Sequence, residues 1–421
     1  MSTAHTVYST PDGGIAEEAR LRAIDYTGRP LERSDLIPLP AGATLSMLPQ
    51  RLACGLTSDG RRASIPAKKG WALAALLPIG YTRTHLPAYT KTLETEPLPF
   101  FGYTAVAAMN GQMYVAALAT DDPRKWHPDA YNRKTLQRLV GQRLAADPEN
   151  RVLAHHAHCA LDYACPTASN LFFGRWEGAV AVSPGCNARC IGCISKQDEE
   201  NLVSPQDRLT FIPTVEEIVA VAVAHLEHAP DAILSFGQGC EGEPLLQARR
   251  IEQAIRAIRA RTARGTLNIN TNASNPRALG RLYDAGLDSL RASTISAVPE
   301  TYDAYYRPIG YGLQEVRRSL ILAREAGVYS AINFLLFPGL ADAEDEVEAM
   351  IAFLRETGVR LAQLRNLNID PEVLLPRLPA PRGRPLGMAA MIETLRRELP
   401  DLRIGNFSIP IQRAQGPAHF A

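Results

Sequence analysis

From about residue 180 onward, apolar and polar positions repeat in one order: a short apolar run, an amphipathic stretch of helical period, a glycine, then another apolar run. The apolar runs predict strands over 180–183, 232–237, 266–270, 289–293, 329–337 and 361–366. The helical stretches between them carry start signals. Thr214-x-x-Glu217 forms a capping box ahead of Ile218 and Val221. Asn275-Pro276 opens a helix bearing Leu279, Leu282 and Tyr283, and Asp342 precedes one bearing Val347, Met350, Ile351 and Leu354. Gly265, Gly286, Gly327 and Gly358 fall where a helix must turn into the next strand. Six strands alternating with helices predict a parallel α/β sheet or barrel.

Polar residues within the strands favour the barrel. Asn268, Asn270 and Asn272 alternate with other residues along one run, and Arg291, Ser293, Asn333, Gln363 and Arg365 fall in the polar phase of theirs. Such a face is costly inside a parallel sheet unless its members bond one another or meet a ligand. Before about residue 175 the pattern changes. Short extended runs at 104–108 and 113–119 are separated by Pro- and Gly-rich turns, and helical periodicity is clear only around 135–144. The expected division is a β-rich N-terminal domain and linker (1–174, the linker from about 155), a barrel (175–370) and a short C-terminal extension (371–421). The extension holds a proline-rich segment at 376–385, a helix over 388–398 and a last strand or loop.

Composition narrows the function. With 46% hydrophobic residues the chain can bury a sizeable core, which excludes wholesale disorder. The 45 basic residues balance 44 acidic ones, and no basic stripe suggests a nucleic-acid partner. Apolar stretches are too short to span a membrane, and the first 18 residues lack a signal pattern. Seven cysteines, three of them clustered, read as metal binding in a reducing cytoplasm rather than a disulfide framework.

The cluster is Cys186-x3-Cys190-x2-Cys193, directly after the first predicted strand, where barrels place ligands. Three thiolates can hold three irons of a cubane, and no fourth cysteine stands nearby for the remaining iron; ordinary ferredoxin clusters have four cysteine ligands. The alternatives at this level are a zinc site completed by a distant His or Cys, or three buried structural thiols.

The spacing resembles the signature of the radical S-adenosylmethionine (SAM) superfamily. The resemblance, which covers roughly 175–370 and identifies no subfamily, implies a partial (β/α)6 TIM-like barrel. It also implies a [4Fe–4S] cluster on Cys186, Cys190 and Cys193 whose free iron chelates SAM. Reductive cleavage of SAM would then give a 5′-deoxyadenosyl radical that abstracts hydrogen from a substrate. Glu241-Gly242-Glu243-Pro244 is similar to the family's Gly-Gly-Glu-Pro motif, which holds the SAM amino group. Asn270 and Asn272 end the third strand, Arg291 and Ser293 the fourth, and Asn333 lies on the fifth; the resemblance implies SAM contacts for all of them, Arg291 as a cationic fork for the carboxylate. Two positions depart from the family: Glu241 replaces the first glycine, and Gly192 stands where a larger apolar or aromatic residue often precedes the third cysteine. Arg365-Asn366-Leu367-Asn368 would face substrate or adenine.

Four cysteines lie outside the triplet. Cys240, beside the motif, is a candidate catalytic thiol, as hydrogen donor or transient nucleophile, with packing as the bland alternative. Cys54 reads as a buried hydrophobe. His155-His156-x-His158-Cys159 with Cys165 has the density of a second metal site. The expectation is thus a cytoplasmic radical SAM enzyme (oxidoreductase, transferase or lyase), reduced by a donor such as flavodoxin or ferredoxin. Its substrate is an unidentified small molecule, peptide or partner enzyme, selected or covered by the upstream domain. The rival class is a non-catalytic iron–sulfur or zinc protein on a barrel scaffold, which predicts no SAM cleavage.

Overall fold

The computed structural model describes residues 3–411. Seven parallel strands form its centre, in sequential order: Glu177–Val180, Ile233–Phe236, Thr266–Thr271, Ser289–Thr294, Tyr329–Leu336, Leu361–Asn366 and Arg403–Gly405. Six correspond to the expected runs. The first begins and ends three residues earlier than its apolar pattern suggested, because Ala181, Val182 and Ser183 are buried in the passage that leads to the cysteines rather than in the ladder. The seventh resolves the open choice of strand or loop: Leu361, Ala362 and Gln363 pair with Arg403, Ile404 and Gly405.

Helices separate these strands and bury one face against them. Helix Val215–His228 starts at the expected capping box, with Thr214 accepting from Glu217 N–H at 3.2 Å and Glu217 accepting from Thr214 N–H at 2.7 Å. Its inward residues Ile218, Val221, Ala222 and Leu226 are buried. Helix Pro276–Ala285 is capped by Asn275, and Gly286 takes the left-handed conformation that ends it. No helix among the described residues is long and apolar enough to cross a membrane.

The sheet is open between its edges. Among the described residues the first strand pairs only with the second and the seventh only with the sixth. Asn406 and Ser408 cross this gap: Asn406 donates to the Leu364 carbonyl at 2.9 Å, and Ser408 donates to Glu177 at 2.6 Å.

The N-terminal part is β-rich, built as an eleven-stranded antiparallel sheet around His5–Ser9, with a separate pair formed by Tyr81–Arg83 and Ala117–Ala119. Most of the segment read as a linker is helical instead. Helices Arg151–Leu161 and Pro166–Phe173 follow Arg133–Ala146, with Asn150 capping the second through Leu153 N–H at 3.0 Å. Val152, Leu153 and Ala157 bury against the barrel, and His156 accepts from Ala181 N–H at 3.1 Å. Three histidines in the run masked an otherwise amphipathic helix.

Two buried arginines, one on the N-terminal sheet and one on the separate strand pair, fasten the N-terminal part to the end of the sixth strand. Arg51 pairs with Asp370 at 2.8 Å, both side chains being at most 1% exposed. Arg83 donates to the Phe101, Tyr103 and Leu367 carbonyls, and its own N–H donates to Asn366 at 3.0 Å. Burial pulls the Arg83 guanidinium down to about 9.

Candidate active site

After the first strand, Val182 and Ser183 donate their N–H groups to Glu241, at 2.7 and 2.9 Å, and Gln238 N–H donates to its other oxygen at 2.9 Å. Burial pushes this carboxyl up to about 8, against the three N–H donors that favour its charged form. Glu241 therefore caps the strand end and the motif loop together, a job a glycine has no atoms for. That accounts for the first departure from the family motif.

The next two residues lock onto the approach to the cysteines. Gly242 N–H donates to the Ser183 carbonyl at 2.7 Å and Glu243 N–H to the Gly185 carbonyl at 2.8 Å. A Cβ on Gly242 would sit 1.9 Å from the Gly185 oxygen, so no other residue fits. The close approach is chain against chain, not chain against ligand. Glu243 accepts from Leu245 N–H at 2.9 Å, from Asn272 N–H at 2.8 Å and from the Thr271 hydroxyl. Burial raises it to about 7.

The cysteine loop is held from its other side by the turn after helix Pro299–Tyr306. Arg189 and Ile191 donate to the Tyr306 and Tyr305 carbonyls at 2.9 and 3.0 Å, and Ile309 N–H returns a bond to the Asn187 carbonyl at 2.9 Å. Asn272 donates to Asn187 at 2.7 Å, tying the third strand to the loop. Gly192 has φ +61°, and a Cβ there would meet Ile369 at 2.6 Å. Ile369 fills the place of the larger residue expected before the third cysteine, which accounts for the second departure.

All three thiols open into one cavity of about 430 Å³, together with Gly242, Glu243, Asn270, Asn272, Arg291, Ser293, Asn333 and Arg365. Burial pushes the Cys186 and Cys190 thiols up. A metal reverses that by deprotonating its ligands outright. Arg208 donates to Cys193 Sγ at 3.3 Å, placing a cation where an anionic cluster would be held.

The polar strand faces do meet in the interior. Asn268 donates to Ser235 at 3.0 Å and accepts from Ser289 at 2.7 Å, while Asn270 donates to the Gly237 carbonyl at 2.7 Å. Deeper in, Arg291 donates to Ser408 at 2.5 Å and lies 3.6 Å from Glu177. Its fork is engaged at the barrel floor rather than open for a carboxylate. Three buried side-chain atoms of cavity residues lack partners among the described residues: Asn333 Oδ1, Arg291 Nε and the Tyr306 hydroxyl. Buried polar atoms of this kind call for a ligand. Arg365 is half-buried at the wall, its guanidinium pulled down to about 10 by burial and by Arg291.

Cys240 is not among the cavity residues. Its side chain is buried with Cys159 and His155. Cys54 lies in the N-terminal sheet, 3.3 Å from an Arg62 nitrogen. Sequence reasoning missed Arg208, Glu177, Tyr306, Thr167, Ile79 and Trp126 in the cavity wall. Tyr302, Tyr305 and Tyr306, all buried on one short helix, were a signal that could have been read. A single arginine in an irregular loop, such as Arg208, has none.

Residues 180–354 match the family model for the radical SAM superfamily. The chain carries a radical SAM domain, the class of enzyme that works with a [4Fe–4S] cluster and SAM and needs a low-potential reductant. No subfamily is identified, and no curated protein matches the sequence. Among solved structures, methylornithine synthase is similar at 12% identity and TM-score 0.39, over 65% of this chain and 75% of that one. A hydrogenase maturase from Carboxydothermus hydrogenoformans gives 14% and 0.38, over 65% and 69%. A radical SAM methyltransferase from Sphaerobacter thermophilus gives 19% and 0.36, over 54% and 64%. Likeness this low says nothing about substrate.

Proposed function

We propose that this enzyme begins its reaction by abstracting hydrogen from a substrate enclosed between the barrel and the N-terminal domain. The observation that carries the reading is the meeting of three thiols and the polar ends of strands three to six in one cavity. With cluster and SAM bound, the chemistry supplied is reductive cleavage of SAM to a 5′-deoxyadenosyl radical. Cys186, Cys190 and Cys193 hold the iron in this reading. Gly242, Glu243, Asn270, Asn272, Ser293 and Asn333 cradle SAM, Asn333 through its unpartnered oxygen. Arg291 sets the charge of the floor through Glu177, and Arg365 is the cation left for an anionic group of substrate.

The N-terminal domain closes the open side of the barrel in this proposal. Ile79 and Trp126 line the cavity, and Trp126 packs on Trp176 with ring centroids 5.2 Å apart. Asp121 accepts from Asn406 and Phe407 N–H groups in the segment that crosses the gap. Excluding water around a reactive radical is a known use of such closure.

Anaerobically reconstituted protein incubated with SAM and dithionite is expected to release 5′-deoxyadenosine, read by mass spectrometry. A protein that retains its cluster and releases none overturns the reading.

A further inference from the structure

We propose that His155, Cys159 and Cys240 form a second metal site, separate from the cluster cavity, that takes a zinc ion. His155 and Cys159 stand four residues apart on helix Arg151–Leu161, hence on one face, one turn above the other. Cys240 comes from the loop after the second barrel strand. One donor atom from each lies within 4.8 Å of the other two. The Cys159 Sγ to His155 Nε2 separation is 3.8 Å. Zinc with its usual bond lengths to sulfur and nitrogen sets that tetrahedral edge at about 3.6 Å, so the donors need only a small inward movement.

The histidine-rich run has three separate jobs in this fold. His156 points inward to Ala181 N–H. His158 points outward, against Asp162 at 2.5 Å, Asp207 and Tyr163. His155 is the histidine whose ring nitrogen reaches Cys159 Sγ. Cys54 is far along the N-terminal sheet and takes no part. Cys165 has its N–H on the Cys159 carbonyl at 3.1 Å but its thiol stands outside the group of mutually close donors, so the fourth position is left to a water.

The chemistry selects zinc. One imidazole and two thiols are borderline-soft donors, and no oxygen ligand is present to suit magnesium or calcium. Two thiolates neutralise a divalent ion, so the completed site carries no net charge into a buried place: Cys159 is 1% and Cys240 6% exposed. Cys240 is joined directly to Glu241, whose carboxylate fixes Val182 and Ser183. The ion would thus bind the upstream helix to the motif loop and, through it, to the start of the cysteine loop. It is a staple, without a part in the hydrogen transfer.

The test counts metals in the full-length protein, reconstituted with iron and dialysed against a weak chelator. One zinc per chain is expected beside the cluster iron. Cys159→Ser and Cys240→Ser should each fall below one-tenth of a zinc with iron unchanged. His155→Ala, which alters only a half-buried side chain, should do the same with an unchanged circular dichroism spectrum, so the result holds even if a cysteine variant misfolds. In a Cys186→Ala/Cys190→Ala/Cys193→Ala background, free of cluster absorption, cobalt(II) should give thiolate charge-transfer bands and the strong visible bands of a tetrahedral ion. Wild-type protein with neither zinc nor a cobalt spectrum overturns the proposal. Zinc that survives in Cys159→Ser/Cys240→Ser also overturns it. So does a Cys159–Cys240 disulfide, seen as a 2 Da mass loss, in protein that binds no zinc after reduction.

Discussion

Cys186 and Cys190 are half-buried thiols whose ionisation is opposed by desolvation, so the loop that carries them gains most when a metal takes their protons. Single alanine variants at Cys186, Cys190 or Cys193 are expected to lose the broad visible absorption and most iron after anaerobic reconstitution. A full iron complement in the triple variant would refute the ligand assignment. Glu243 works differently, since its oxygens already accept from Leu245 N–H, Asn272 N–H and Thr271. Glu243→Ala strands three buried donors, at a cost on the order of 3 kcal/mol. Denaturant unfolding of the apoprotein should show that loss. SAM binding by equilibrium dialysis should weaken about tenfold, a difference of about 1.4 kcal/mol, while cluster iron is retained. Unchanged SAM affinity would make Glu243 a brace and nothing more.

At the scale of elements, helix Val215–His228 shows how a local signal acquires a second use. Thr214-x-x-Glu217 caps the helix, and Glu217 also receives Arg151 Nε and Nη2, each at 2.8 Å, from the upstream helix. Thr214→Ala should cost about 1 kcal/mol, measured by chemical denaturation. Hydrogen bonding to Arg151 lowers the Glu217 carboxyl to about 2. Its folded value then lies below its unfolded one near 4.5, so the unfolded chain binds the proton first. The contribution is present above about pH 4.5 and is lost as pH falls toward about 2. Glu217→Gln should flatten the stability profile across that window. An identical profile in the variant would place the acid sensitivity elsewhere.

For the molecule as a whole, the joint between the N-terminal sheet and the barrel depends on a charge pair sealed from water. Arg51 and Asp370 are joined by Leu98 N–H, which donates to Asp370 at 2.8 Å, and by the Glu96 carbonyl, which accepts from Arg51 at 3.0 Å. Breaking one side leaves the other charge buried and uncompensated. Arg51→Met or Asp370→Asn is therefore expected to cost about 3–5 kcal/mol in unfolding free energy. If the domain also closes the cavity, the same variants should raise uncoupled 5′-deoxyadenosine release relative to substrate conversion, a ratio that simple loss of stability would leave alone.

The six alternating apolar runs, the capping box at Thr214 and the Cys186-x3-Cys190-x2-Cys193 spacing were local patterns, and local patterns survive in one dimension. They were enough for a parallel α/β barrel, and they raised the expectation of a thiol-bound cluster at its strand ends. The rest depended on which distant residues meet. Nothing near Arg291 in sequence shows that Ser408 and Glu177 occupy its fork. Nothing near Cys240 shows that it turns from the cavity toward Cys159. Gly192 and Glu241 were departures from a motif until Ile369 and the Val182–Ser183 amides were seen to complete them. A seventh strand of three residues, Arg403–Gly405, was too short to carry a period of its own and exists because the sixth strand offers it an edge. Side-chain type sets what chemistry a chain can perform, but burial and partner choice are properties of the closed packing, and these decided which polar groups remained free to act.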